Sequence, residues 1–280
     1  MPRTEPDKTP KNEPQVVPSS SVPGGTSGGL AVGAPAWSDP ELANPHAHAE
    51  KATKVRAMFS AIADSYDLNN RLHSLGRDVA WRNFAVKYAG VRAGDRVLDC
   101  ACGTGDLSQA FAATDAAEVV GLDFTAAMLD HARVKATRLT DTQQKKLSYI
   151  EGDAMTLPFA DASFDIVSIA FGIRNVSQPM KALAEFHRVL RPGGRLVVLE
   201  FDRPKPPMRW FNDFYCGWIM PRTATLISRD RSGAYKYLPK SVGTFLTRSE
   251  FQRAMGQVGF TQLASRALTF GICVCHRGVK

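Results

Sequence analysis

Short apolar runs alternate with amphipathic segments between residues 96 and 201. The runs RVLDCA, EVVGLDF, LSYIEGD, FDIVSIAFG and RLVVLEF each predict a strand that is buried on both faces of a sheet. The segments DLSQAFAAT, TAAMLDHARVKATRL and PMKALAEFHRVL predict the intervening helices, with Thr125 as an N-cap and Pro179 in a first turn. This alternation predicts an α/β fold, a Rossmann-like, doubly wound sheet of parallel strands.

Two further patterns flank this region. Upstream, apolar residues at helical spacing predict N-terminal helices, the last of which ends at Gly90. Downstream of Phe201 the alternation gives way to an aromatic-rich stretch, residues 203–245, which we expect to form a lid over the carboxyl ends of the strands. The segments TQLASRAL and GICVCHRG then predict an antiparallel pair that completes a seven-stranded sheet.

The N-terminal part of the chain has a different composition. Residues 1–50 are rich in Pro, Gly and Ser and carry no hydrophobic period, which predicts a disordered tail before a domain at residues 51–280. A mitochondrial transit peptide is disfavoured because Glu5, Asp7 and Glu13 lie in this stretch beside a single early arginine, Arg3.

The formal net charge of +8 makes anionic partners worth considering. The sequence has no long Lys/Arg block of the kind that binds a nucleic-acid backbone, so we expect no nucleic-acid partner. Contact with an anionic membrane surface remains an open alternative. The five cysteines lack zinc-ligand spacing, and we expect no metal site and reduced, mostly buried thiols in a cytoplasmic protein. No apolar run approaches the roughly 20 residues that cross a bilayer.

A glycine loop at Cys102–Asp106 follows the first predicted strand of the sheet. A P-loop is excluded because no lysine follows the glycines. A dinucleotide fingerprint would need a third glycine where Ser108 stands, so Gly103 and Gly105 match it only in part. A tight turn that binds no ligand is the alternative interpretation.

Carboxylates end the next two predicted strands. Asp123 is placed to accept hydrogen bonds from the two hydroxyls of a ribose. Asp153 can accept from an exocyclic adenine amine, while Ala154 offers a backbone N–H to the ring. The alternatives are an N-cap role for Asp123 and an Asx-turn for Asp153. Together with the loop, these positions predict a nucleoside site.

The ordered motifs VLDCACGTGD, VVGLDFTAAML, YIEGDAMTLPFADASFDIVSIAFGIRNV and HRVLRPGGRLVVLEF resemble those of class I S-adenosylmethionine-dependent methyltransferases. The segments FSAIADSYDLNNRLHSLGRDVAWR, FGIRNV, LEFDRPKPP and GAYKYLPKSVGTF narrow the resemblance to the ubiquinone/menaquinone biosynthesis C-methyltransferases. The resemblance extends over residues 55–276 and implies S-adenosyl-L-methionine as the cofactor.

The resemblance also implies roles for residues of the glycine loop. Thr104, with the backbone of Gly103 and Gly105, would hold the methionine part of the cofactor. Ala101 stands where this class of enzymes often has glycine. Some members of the narrower family have serine at the position of Ala170, so no ligand contact is assigned to that residue.

The implied reaction transfers a methyl group to a quinol ring carbon, and the catalytic candidates are Arg174, Asn175 and Tyr66. Removal of a proton from the adjacent ring hydroxyl would push electron density onto that carbon. Arg174 would stabilise the phenolate or orient a water molecule as base, and Asn175 would position the ring oxygen. A structural ion pair is the alternative role for Arg174, and His73 is left unassigned.

The resemblance favours methylation of demethylmenaquinol to menaquinol, with the 2-methoxy-6-polyprenyl-1,4-benzoquinol step of ubiquinone biosynthesis as the alternative. A nicotinamide-dependent oxidoreductase and a non-catalytic binding protein are more distant alternatives. A polyprenyl quinol implies substrate entry from the inner face of the cell membrane, with the aromatic stretch admitting the tail. A homodimer is a further expectation about partners.

Overall fold

The computed structural model describes residues 37–220, 222–223 and 234–280 of the 280-residue chain. The seven strands are β1 (Arg96–Cys100), β2 (Glu118–Asp123), β3 (Leu147–Glu151), β4 (Phe164–Ala170), β5 (Leu190–Phe201), β6 (Thr261–Leu268) and β7 (Cys273–Val279). They form one sheet in the order β3-β2-β1-β4-β5-β7-β6. Strands β1 to β5 are parallel, and β7 runs antiparallel to both of its neighbours. The predicted fold class is confirmed.

The helices in the described residues are α1 (Asp39–Ala43), α2 (Lys51–His73), α3 (Arg77–Ala89), α4 (Asp106–Ala112), α5 (Ala126–Ala136), α6 (Asp141–Lys146), α7 (Pro179–Val189), α8 (Met208–Phe214), α9 (Ala234–Thr244) and α10 (Arg248–Val258). One apolar core packs α7 and α10 against the sheet, and a second packs α3 and α4 against its other face. A third, smaller core joins the start of the described chain to α2 and α9.

The boundary predicted at residue 50 lies too far along the chain. Residues 37–50 include α1 and a 3-10 turn at Pro45–Ala47, so the prediction of a disordered tail fails for this part. Trp37 and Leu42 supply the physical reason, because both side chains are buried in the third core. The rest of the predicted tail, residues 1–36, lies outside the described residues.

Local signals explain several element boundaries. Helix α3 ends at Gly90, whose φ of 63° is the left-handed conformation that glycine adopts readily. Thr125 precedes α5 as predicted, although its side chain makes no capping hydrogen bond. Helix α6 was not predicted; Thr140 and Gln143 form its capping box, a pattern visible in the sequence.

The described part of the aromatic-rich stretch contains α8, a π-helix at Tyr215–Ile219 and α9. Helix α9 lies over the loop that follows β4, since Tyr237 and Ser241 hydrogen-bond to Asn175 and Arg174 of that loop. This part of the predicted lid therefore lies at the carboxyl ends of the strands. Residues 221 and 224–233 are outside the described part.

A buried carboxylate connects three elements below the glycine loop. Asp99 of β1 accepts hydrogen bonds from Ser108 of α4 at 2.6 Å and from Ser168 of β4 at 2.8 Å. Burial raises the pKa of Asp99 from its ordinary value of 3.8 to about 6. Ser108, the residue in place of the third fingerprint glycine, therefore has a structural partner.

We predict that Asp99→Asn removes part of the pH dependence of stability. Because the folded-state pKa is raised, this group's stabilising contribution is present below pH 4 and is lost as the pH rises through about 6. The free energy of unfolding of the variant relative to wild type should increase by about 2 kcal/mol between pH 4 and pH 7. Urea titrations at several pH values measure this, with the exposed Asp115→Asn as control. An unchanged difference across that range would contradict the prediction.

Candidate functional site

One cavity lies where the strand order switches between β1 and β4, at the carboxyl ends of the parallel strands. It encloses about 730 Å³ of space between protein atoms, part of it open to solvent. Its lining comes from the ends of β1, β2, β3 and β4 and from α2. This is where ligands bind in doubly wound sheets.

Six of the nine predicted site residues line this cavity. They are Gly103, Asp123, Asp153, Ala154, Asn175 and Tyr66. The structure thus brings together residues from four strand ends, those of β1 to β4, and from α2. Three others, Thr104, Gly105 and Arg174, are not among the lining residues.

Asp123 is held firmly at the end of β2. Its two oxygens accept from the backbone N–H of Gly103 at 2.8 Å and of Thr125 at 2.9 Å. Burial raises the pKa of this carboxyl, while the two N–H groups lower it in part. A carboxylate fixed in this way retains lone pairs that can accept hydrogen bonds from a ligand's hydroxyl groups.

Asp153 forms the Asx-turn that the sequence left as an alternative, because its Oδ1 accepts from the backbone N–H of Met155 at 2.8 Å. Asp153 also lines the cavity, so the Asx-turn does not exclude a ligand contact. Leu122, Ala154 and Met155 give this end of the cavity an apolar wall. A flat apolar ring with polar groups at its edge suits these surroundings.

Thr104 has protein partners instead of a place on the cavity wall. Its hydroxyl donates to Asp67 of α2 at 2.6 Å and accepts from Lys135 of α5 at 3.2 Å. Lys135 also pairs with Asp67 and with Asp106 of α4. This network fastens α2 across the glycine loop, and no local signal in the sequence indicates the contribution of Lys135.

Gly105 starts α4 with a φ of 82°, a left-handed conformation. A Cβ at this position would overlap the hydroxyl of Tyr149, so the glycine makes room for that side chain. Gly103 is also left-handed, with a φ of 55°, and a Cβ there would meet nothing within 4 Å. The two glycines therefore differ in role: Gly105 packs against the protein, and Gly103 faces the cavity.

The backbone is strained where the cavity meets β1 and β4. Ala101 and Phe171, which both line the cavity, have φ values of 50° and 56°. Such values are uncommon for residues other than glycine and are often found at functional sites. The left-handed backbone at position 101 explains why related enzymes often have glycine there. Ala170, to which no contact was assigned, also lines the cavity.

Arg174 lies behind the cavity in a buried ion pair. Its guanidinium contacts Glu200 of β5 at 2.6 Å and donates to the carbonyl of Phe171 at 2.8 Å. Both charged residues are at most 5% exposed. The structural ion pair that the sequence left as an alternative is therefore present, and it directs the guanidinium into the protein.

Asn175 and Tyr66 supply the polar groups on this side of the cavity. The amide of Asn175 donates to the carbonyl of Phe171 at 3.2 Å and accepts from the hydroxyl of Tyr237 at 3.1 Å. Burial raises the pKa of Tyr66, so its phenol stays protonated and can donate a hydrogen bond near neutral pH. His73 does not line the cavity; it contacts the hydroxyl of Tyr215 at 2.8 Å.

The cysteines and metal-ligating side chains show no second chemical site in the described residues. All five cysteines are free thiols, and burial raises the pKa of Cys102, which opposes thiolate formation. No described cluster of His, Cys, Asp and Glu has the arrangement of a metal site. No described helix is long and apolar enough to span a membrane.

Comparison with known proteins gives a family match over residues 47–280, to the ubiE/COQ5 methyltransferase family. A relative in Geobacter sp. (strain M21), named ubiquinone/menaquinone biosynthesis C-methyltransferase UbiE, is 44% identical over 241 residues, which are 84% of this chain and 100% of the relative. The demethylmenaquinone methyltransferase of Thermus thermophilus is 45% identical over 225 residues, covering 79% of this chain and 99% of the relative.

Solved structures resemble the chain at lower identity. A SAM-dependent methyltransferase from Thermotoga maritima has a TM-score of 0.57 and 19% identity, covering 81% of this chain and 99% of its own. The [4+2]-cyclase SpnF has a TM-score of 0.56 and 18% identity over 72% of this chain and 81% of its own. These likenesses establish the fold and leave the reaction to the site residues.

We predict that Glu200→Gln destabilises the protein by about 3–5 kcal/mol, because it leaves the buried guanidinium of Arg174 without an anion. Urea unfolding near neutral pH measures the change. The matched control is Asp213→Asn, which removes the exposed partner of Arg209 and should change stability by less than about 1 kcal/mol. Equal free energies of unfolding for the two variants would contradict the prediction that the buried ion pair contributes more to stability than the exposed one.

Proposed function

Because this chain belongs to the ubiE/COQ5 methyltransferase family, we propose that it transfers a methyl group from S-adenosyl-L-methionine to a ring carbon of a polyprenyl quinol. The observation that carries the proposal is the convergence of Gly103, Asp123, Asp153, Ala154 and Asn175 on one cavity. Family membership also sets aside the nicotinamide-dependent and non-catalytic alternatives, since the family is one of methyltransferases.

The residues at one end of the cavity fit the nucleoside part of the cofactor. Asp123 would accept from the ribose hydroxyls, and the apolar wall at Leu122, Ala154 and Met155 would contact the adenine. Asp153 would accept from the exocyclic amine. The open space over Gly103 leaves room for the part of the cofactor nearer the glycine loop, while Thr104 and Gly105 shape that loop from behind.

When bound, S-adenosyl-L-methionine supplies an electrophilic methyl group. The protein's main task is then to align a quinol carbon with it and to support the developing phenolate. Tyr66 keeps its proton and can donate a hydrogen bond to the quinol oxygen. The side-chain amide of Asn175 keeps one proton and one oxygen lone pair that are not used in its bonds to Phe171 and Tyr237.

Arg174 needs a revised role because its guanidinium is committed to Glu200 and to the Phe171 carbonyl. Arg174 is also not among the residues that line the cavity. We therefore assign Arg174 as a positioning residue that holds the turn on which Asn175 sits.

We propose demethylmenaquinol as the preferred quinol, with the demethylated benzoquinol as the second candidate. The relative in Thermus thermophilus is named for the former substrate alone, whereas the name of the Geobacter relative covers both pathways. Both substrates share a ring hydroxyl next to the carbon that is methylated, so the same residues could serve either reaction.

A methyl-transfer assay with each quinol separately tests the function. We expect methylated demethylmenaquinol and S-adenosylhomocysteine in equal amounts, with at least about tenfold lower kcat/KM for the benzoquinol.

Asp123→Ala should weaken binding of S-adenosylmethionine by about tenfold or more in calorimetry, because a fixed carboxylate is lost. The exposed Asp130→Ala is the matched control. If the methyl-transfer assay gives no methylated product with both quinols, the proposed function is overturned.

We further propose that the enzyme takes its quinol from the inner face of the cell membrane through an aromatic face of four side chains. Trp210, Phe211, Phe214 and Trp218 of α8 and the π-helix are each at least 55% exposed. Trp210, Phe214 and Trp218 follow helical spacing, and the last two rings stack at 5.8 Å. Solvent-exposed aromatics on one helix are typical of interfacial membrane contact.

The surroundings of the aromatic face favour a lipid surface. The guanidinium of Arg222 lies 4.5 Å from the Trp218 ring, where it can contact anionic headgroups while the ring enters the interface. The hydrogen bond between His73 and Tyr215 brings the end of α2 alongside, and Leu72 and Leu75 near that end are also exposed. Apolar and basic groups therefore occur together on this side of the molecule.

Vesicle sedimentation tests the aromatic face. Wild type should bind vesicles of phosphatidylglycerol and phosphatidylcholine, and the double variant Phe214→Ser/Trp218→Ser should bind about tenfold less, because apolar area that inserts is lost. Val134→Ser removes an equally exposed apolar side chain from α5 and should leave binding unchanged. Equal binding of both variants would overturn this proposal. A homodimer seen by light scattering that the same double variant disrupts would also overturn it, because the aromatic face would then be the dimer interface.

A further inference from the structure

Residues 37–48 pack against the predicted lid. Most of this segment, residues 37–46, precedes the part of the chain that matches the family. Trp37 and Leu42 are at most 6% exposed and belong to the same core as Val55 and Met58 of α2. Lys54 of α2 pairs with Glu41 at 2.5 Å and lies 5.6 Å from the Trp37 ring. This segment, which we call the brace, is therefore part of the folded structure.

The brace reaches Asn175 through a single tyrosine. Trp37 stacks on the ring of Tyr237 with 4.8 Å between ring centroids. Tyr237 belongs to α9, is 1% exposed, and donates its hydroxyl to Oδ1 of Asn175 at 3.1 Å. Asn175 lines the cavity, so a continuous set of contacts leads from the brace to the cavity wall.

A second path leads from the brace to the backbone of the same turn. Nε2 of His46 lies 2.8 Å from the carbonyl of Ser241 on α9, which requires the proton on Nε2. Its Nδ1 then accepts from Nζ of Lys51 at 3.1 Å. The same Nζ donates to the carbonyls of Arg174 at 2.8 Å and Val176 at 2.7 Å.

Lys51 therefore uses all three of its ammonium donors, two of them on the turn that carries Asn175. Lys51 is 1% exposed, and Glu200 and Arg174 are the charged groups that face it. Ser241 closes the arrangement, since its hydroxyl lies 3.3 Å from Nε of Arg174. The turn at Ile173–Asn175 is thus held by α2, α9 and β5, and the brace contacts the first two.

We propose that the brace positions Asn175 for methyl transfer by fixing Tyr237 and Lys51 against the turn at Ile173–Asn175. The inference rests on the proposed function for its catalytic part. No brace residue lines the cavity, so the brace acts through Asn175 and does not touch the substrate. The nucleoside end, at Asp123 and Asp153, lies on other strand ends and should be little affected.

The test uses the full-length protein with Trp37→Ala and Tyr237→Phe. Trp37→Ala removes the stacked ring, and Tyr237→Phe removes only the hydroxyl that bonds to Asn175. With a short-tailed, water-soluble quinol, both should lower kcat by about tenfold, because Tyr237→Phe deletes the hydrogen bond to Asn175 and Trp37→Ala removes the ring that holds Tyr237 in place for it. The affinity for S-adenosylmethionine should stay within about twofold.

Matched controls separate positioning from general loss of stability. Phe84→Ala and Tyr88→Phe make the same two substitutions, removal of a ring and removal of a phenol hydroxyl, in a tilted aromatic pair on α3 whose rings lie 5.5 Å apart. Amide hydrogen exchange in residues 172–177 should become about tenfold faster in both brace variants and should not change in the controls.

Exchange is measured without substrate, so it tests the brace even if the quinol proves to be the wrong substrate. Wild-type exchange rates at residues 172–177 in both brace variants would overturn the brace itself. Faster exchange with unchanged kcat would overturn its link to catalysis. Absence of methyl transfer by the wild type would instead count against the proposed function.

Discussion

The buried ion pair between Arg174 and Glu200 is the interaction on which the site depends most. A guanidinium taken out of water is costly unless a carboxylate and other acceptors surround it. Glu200 at the end of β5 and the carbonyl of Phe171 after β4 meet this need. The requirement fixes the turn at Ile173–Asn175 relative to the sheet. Helices α2 and α9 then complete the surroundings through Lys51 and Ser241.

Much of the fold could be predicted because its signals are local. Buried parallel strands give short apolar runs, and the carboxyl ends of such strands must lie at one edge of the sheet. Asp123, Asp153 and the glycine loop could therefore be placed around one site from their positions at strand ends. Capping residues marked helix boundaries at Gly90 and Thr125, although the same kind of signal at Thr140 was missed.

The partners of polar side chains could not be predicted, because they come from distant parts of the chain. Arg174 is adjacent to Asn175 in sequence, yet one side chain turns into the protein and the other lines the cavity. Thr104 likewise bonds to Asp67 and Lys135, which lie on α2 and α5. Composition was also misleading at residues 37–50, where two large apolar side chains, Trp37 and Leu42, outweigh the surrounding Pro and polar residues.

The aromatic-rich stretch combines two requirements that explain its composition. Its outward side chains are Trp and Phe, which can leave water for a lipid interface without breaking any hydrogen bond within the protein. Its inward residues on α9 are Tyr237 and Ser241, whose hydroxyls pair with polar groups of a buried turn. The proposed contact with a lipid surface would use the first set, and an ordered Asn175 needs the second. The stretch after β5 supplies both sets of side chains because the carboxyl end of β5 lies beside this turn, where Glu200 pairs with Arg174.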